Sequence, residues 1–149
     1  STYVLIDEAV IVSQQDLRVE GYFTLSHKII YLDDDISNTK RKKYSNGLSK
    51  TDSRIHAILI GQLGKYIDED ANYVSNVSAK QMLDAAFRLI EEVNERVATR
   101  VVVVECKQCL ETDTKEVFEK RQKLHEIYKN YGFEAVQNRG DLTQYFKII

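Results

Sequence analysis

Leu124-His-Glu-Ile-Tyr-Lys-Asn-Tyr-Gly-Phe133 is the stretch on which the fold turns. It reads as the end of a helix, because Leu124, Ile127, Tyr128 and Tyr131 continue a stripe begun at Val117 and Arg121 at helical spacing. Gly132 is the expected left-handed stop, since a residue without Cβ enters that conformation at little steric cost. Asp113 with Glu116 can cap the start of the helix, and Phe133-Glu-Ala-Val136 runs on extended from its end.

Upstream, Val101-Val-Val-Val104 is apolar on both faces, as is Ala57-Ile-Leu-Ile60 within a strand over residues 55–63. Such runs suit strands covered on both sides. Between them Ser78 and Gln81 form a capping box, followed by Met82, Ala86, Leu89, Ile90, Val93 and Val97 at helical spacing. Strand, helix and strand in that order predict a right-handed parallel crossover. Towards the start of the chain, Tyr3–Ile6 and Ala9–Val12 read as short extended runs, and Val19–Ile30 as a longer strand. Residues 33–53 are polar and read as a mobile connection holding at most one short helix. Val136 and Leu142 flank the turn Asn138-Arg-Gly-Asp141, which predicts a closing hairpin. The expected class is α/β (α+β): a mixed, mostly antiparallel sheet with a central parallel β-α-β unit, in one domain over residues 1–149.

Composition narrows the function classes. The chain has 149 residues, 43% hydrophobic and 30% charged, with a net charge of −2. That balance gives no general attraction to nucleic acid or anionic lipid. No apolar run reaches the length of a membrane span and no leader pattern opens the sequence, so the expectation is a cytoplasmic protein without membrane contact. Cys106 and Cys109 lack the further ligands of a structural zinc site, so they read as reduced thiols and no metal is expected.

The order of elements and the residues at their joints resemble the GNAT superfamily of acetyl-coenzyme A-dependent N-acetyltransferases, over nearly the whole chain. Gly21-Tyr-Phe-Thr-Leu-Ser26 is similar to the family's third strand, Ile60-Gly-Gln-Leu63 to the end of its fourth, and Tyr128-x-x-x-Gly132-Phe133 to its helix ending. The first of these, ahead of the basic run Lys40-Arg-Lys-Lys43, also resembles a toxin branch that acetylates aminoacyl-tRNA. The resemblance implies acetyl-coenzyme A as co-substrate and a primary amine, otherwise unspecified, as acceptor. It places Gln62, Leu63 and Gly64 along the pantetheine arm, and Asn76, Val77, Ser78, Ala79 and Lys80 at the pyrophosphate. Two departures stand out. The family's glycine-rich phosphate loop is replaced by Asn76-Val-Ser-Ala-Lys80, where only the unsatisfied N–H groups and dipole of a helix start remain to hold an anion. The family's first strand and two helices have no counterpart before Tyr3, which predicts a missing segment or self-association through an edge strand exposing Val4 and Ile6.

Amine acetylation asks for an acid to protonate the departing thiolate and a base to take the amine proton. The resemblance gives the acid to Tyr128; at helical spacing alone the same residue reads as core. Glu105, at the end of the second buried strand, is the expected base because ligands favour the carboxyl ends of parallel strands. Glu20 is the reserve. His56 begins its strand roughly 20 Å from Gln62 at about 3.3 Å per residue, too far to act, and His27 and His125 read as edge or surface residues. Lys40–Lys43 could meet RNA phosphates, yet Asp33-Asp-Asp35 beside it favours a solvated turn. A non-catalytic binding module of the same fold is the competing function.

Overall fold

The structure is a computed structural model that describes residues 1–9, 13, 17–45, 53–70, 72–97 and 99–149, side chains at 95–97 excepted. Its strands are β1 (Thr2–Ile6), β2 (Val19–Tyr31), β3 (Arg54–Lys65), β4 (Val101–Lys107), β5 (Glu134–Arg139) and β6 (Leu142–Ile148). The helices are α1 (Asn38–Tyr44), α2 (Ala79–Val97) and α3 (Lys115–Asn130). Among the described residues six strands form one sheet in the order β1-β2-β3-β4-β6-β5, antiparallel except for the β3–β4 pair. This is the mixed sheet with a central parallel β-α-β unit that the pattern predicts.

Alternation along the strands builds two cores. On one face Phe23, Ile58, Ile60, Val102, Val104 and Cys106 meet Leu83, Ala86, Phe87 and Ile90 of α2 and Tyr128 of α3. On the other, Ile30, Ile55, Val101, Val103 and Phe146 meet Tyr44 of α1. The second face is therefore covered by α1 at one end of the sheet. β1 lies at the edge, stacks Tyr3 on Phe23 at 5.4 Å, and leaves Val4 (57%) and Ile6 (40%) exposed, as expected.

Local chemistry explains most boundaries. Ser78 accepts from the Gln81 N–H at 3.1 Å while the Gln81 side chain accepts from the Ser78 N–H at 2.8 Å, the reciprocal box read from the sequence. Gly132 takes φ +101° and Gly140 in the β5–β6 turn takes φ +57°. The cap of α3 differs from expectation. Thr114 fills it, accepting from the Val117 N–H at 3.3 Å, because Asp113 is drawn away into an ion pair with Arg121 at 2.8 Å and a bond from the Leu110 N–H. Glu8 and Ala9 are helical, not extended, while the rest of that expected strand lies outside the described residues. The connection at 33–53 holds α1, tied to the hairpin by Lys40, Lys43 and the Tyr44 hydroxyl, all on Glu134; residues 46–52 lie outside the described residues. Among the described residues no helix is long and apolar enough to cross a membrane.

Candidate active site

The two central strands part company at one point. β3 and β4 are paired only from Ala57–Val101 to Ile60–Val104. Beyond it β3 continues to Lys65 against β2, and β4 continues to Lys107 against β6. A wedge opens between them, with backbone groups on each inner edge released from the parallel ladder. The same point carries a bulge: β2 advances two residues from Leu25 to Phe23 while β3 advances three, from Ile60 to Leu63. The extra residue reverses the alternation of β3. Ile58 and Ile60 face the helices, and so does Leu63 rather than Gln62. The Gln62 N–H is met by the Thr24 hydroxyl at 2.9 Å.

Beside the wedge lies a groove of about 630 Å³ between β3, the start of α2 and α3. Leu63, Val77, Ser78, Ala79 and Lys80 line it together with Leu124 and Ile127. Five of the eight residues expected around the cofactor thus come together at one surface. Gln62, Gly64 and Asn76 do not line it. Gly64 lies under the Tyr22 ring, where an added Cβ would sit 2.8 Å from a ring carbon. Asn76 borders a separate cavity with Asp7, Arg18 and Tyr73. The reciprocal cap consumes the N–H groups of Ser78 and Gln81, so the first turn of α2 offers an anion the amides of Ala79 and Lys80.

Tyr128 is 5% exposed and packs against Phe133 and Tyr145, with ring centroids 5.8 and 6.1 Å away. Its hydroxyl has no hydrogen-bond partner among the described residues. Burial, aided by the nearby Cys106 thiol, pushes its pKa up to about 12, so the phenol is protonated at neutral pH. Glu105 follows directly on the last parallel pair but belongs to the opposite face, with Val101 and Val103. It accepts from Lys28 Nζ at 2.5 Å and from the Gln144 amide at 2.7 Å. The acid and base candidates therefore belong to opposite faces of the sheet.

Other candidates are committed elsewhere. Both carboxylate oxygens of Glu20 lie 2.7 Å from the Tyr73 hydroxyl, which shares its proton between them, and one also accepts from Arg18 Nε at 2.6 Å; hydrogen bonds from Ser75 and Tyr73 hold its carboxyl below the usual range. His56 contacts His27 at 3.3 Å on strands leading away from the wedge. His125 is not a simple surface residue. One ring nitrogen contacts the Tyr145 hydroxyl at 2.6 Å and the other the Lys107 carbonyl at 2.8 Å. Because a carbonyl only accepts, Nε2 carries a proton and donates it to Lys107. Spacing gave no signal for this pair, since Tyr145 comes from the hairpin. Cys106 and Cys109 are free thiols, with burial raising Cys106 to about 11. No group of three or more metal-binding side chains occurs among the described residues. Of the basic run, Lys40 and Lys43 pair with Glu134, and the buried Arg41 donates to the carbonyls of Asp33 and Ile36.

No family model and no curated protein matches this chain. Solved structures do. A tyrosine-to-phenylalanine mutant of the AtaT toxin, bound to the C-terminus of the antitoxin AtaR and acetyl-CoA, is similar over 99% of this chain and 66% of its own, at TM-score 0.59 and 14% identity. The chain has the GNAT fold. The KacTA–DNA complex shares the fold with the same coverages, TM-score and identity. AtaT complexed with acetyl-methionyl-tRNAfMet is similar over 99% of this chain and 95% of its own, at TM-score 0.58 and 15% identity. Against the first two, this GNAT-fold chain spans less than two thirds of their length.

Proposed function

We propose that this chain binds acetyl-coenzyme A and transfers its acetyl group to a primary amine. The observation that carries the reading is the wedge beyond Ile60 and Val104, opening beside a groove with free amides at one end. The acetyl-CoA held by the AtaT structure of the same fold supports it. In this reading the backbone around Leu63 faces the pantetheine arm, and the amides of Ala79 and Lys80 take the pyrophosphate. The amine nitrogen adds to the thioester carbonyl carbon and the carbon–sulfur bond breaks. Tyr128 gives its phenolic proton to the sulfur, and Glu105, once Lys28 swings aside, takes the proton shed by nitrogen.

The test is direct. Acetyl-coenzyme A should bind in calorimetry and raise the melting temperature in a concentration-dependent way. If millimolar acetyl-coenzyme A does neither, a non-catalytic binding module of the GNAT fold replaces the enzyme. For the acceptor, the likeness to AtaT complexed with acetyl-methionyl-tRNA supports an aminoacyl-tRNA. Lys40–Lys43 is not where we seat that RNA, because Glu134 and backbone carbonyls already engage three of its four cations. Exposed Val4 and Ile6 on the edge strand support pairing with a second copy.

A further inference from the structure

The groove at the start of α2 is more cationic than a pyrophosphate alone explains. Lys65 ends β3, Lys80 lies in the first turn of α2 and Lys123 projects from α3, so three different walls each supply an ammonium group. No carboxylate among the described residues lines the groove, although the chain carries a net charge of −2. Lys80 is held by Asp84 at 2.7 Å. Asp84 also accepts from the Tyr131 hydroxyl at 2.8 Å, which fixes the groove wall. Lys65 and Lys123 form no ion pair among the described residues. Like charges gathered around a concavity repel one another and raise the local concentration of anions. The two free amides and Lys80 suffice for one diphosphate, which leaves Lys65 and Lys123 facing the same space without a counter-charge.

We infer that Lys65 and Lys123 form a second anion subsite that receives the 3′-phosphate of coenzyme A. The groove then selects a 3′-phosphorylated nucleotide carrier over carriers that end in a diphosphate or in phosphopantetheine. Lysine suits this task as a point charge on a long stem, needing no close backbone approach of the kind the missing glycines would allow. The inference rests on the acetyl-coenzyme A reading above, and one experiment separates the two. Coenzyme A and dephospho-coenzyme A are titrated into the full chain and into Lys123→Met and Lys65→Met variants by calorimetry. The expected result is that coenzyme A binds the parent chain about tenfold more tightly than dephospho-coenzyme A, and that the ratio falls towards one in the variants. Equal binding of the two ligands to the parent chain overturns the 3′-phosphate subsite and leaves the acyl-carrier reading standing. A preference that survives both substitutions overturns the assignment to these lysines. Failure of both ligands to bind removes the carrier reading and this inference with it.

Discussion

Replacing Tyr128 with phenylalanine removes one oxygen from the helix-side core, and its effects on stability and on turnover should differ greatly in size. The ring is 5% exposed, wedged between Phe133 and Tyr145, and phenylalanine preserves that packing. The hydroxyl bonds no described residue, yet it is not among the fully buried unpartnered atoms, so removing it breaks no internal bond and relieves no large desolvation cost. The variant should therefore match the parent in stability to within about 0.5 kcal/mol. In a chain of 149 residues that is a shift of about 1–2 °C at most. Turnover should fall far more. Losing a general acid lowers rates by about 10²–10⁴-fold, with binding of acetyl-coenzyme A nearly unchanged. Thermal unfolding followed by circular dichroism measures the first effect. Thiol release from acetyl-coenzyme A with a surrogate amine measures the second. A fall of several degrees would mean that the hydroxyl is held by a partner and is structural. Unchanged turnover would reduce Tyr128 to a packing residue.

Two further expectations concern the frame around the site. Bonds from Lys40 and Tyr44 hold the Glu134 carboxyl down to about 2, against an ordinary value of 4.5. A depressed carboxylate contributes stability that is present above about pH 4.5 and lost as the pH falls through about 2. Glu134→Gln should flatten the acid side of the melting-temperature profile over that window; because the side chain is 40% exposed, its cost at neutral pH should stay under about 1 kcal/mol. An unaltered acid limb would show that the α1–hairpin contact is not formed in solution. Thr114→Ala removes the side-chain acceptor for the Val117 N–H and should cost about 1 kcal/mol, read as a drop of about 2–4 °C. No drop would return the capping role to Asp113.

Much of this architecture was legible because it is periodic. The doubly apolar runs at 57–60 and 101–104, the box at Ser78 and Gln81, and the stop at Gly132 are local patterns whose physics does not depend on distant partners. Glycine at 61 and 64 inside a strand was a visible signal of irregularity, yet the bulge itself is a property of pairing with β2. The resemblance placed Gln62, Leu63 and Gly64 together along the pantetheine arm, and the bulge is why, of this strand end, Leu63 and Lys65 line the groove. Asp113 and Thr114 are both competent caps, and Arg121, eight residues further on, decided between them. The Lys28–Glu105 contact spans 77 residues and the Tyr145–His125 contact joins hairpin to helix, so neither leaves a trace in local spacing. Lys65 and Lys123 were unremarkable in the sequence, since only the closing of α3 over β3 sets them around one space.

The extra residue in β3 changes the rhythm in which the chain can vary. Up to Ile60 every second position must be greasy; after the irregularity the demand resumes on Leu63, one beat late. Were the same β3 sequence to pair with β2 without the extra residue, Gln62 and Gly64 would take the cleft positions, and Leu63 and Lys65 would turn to the opposite face together. The cleft's wall is thus specified by a phase, and a strand of identical sequence that kept strict time would lose it.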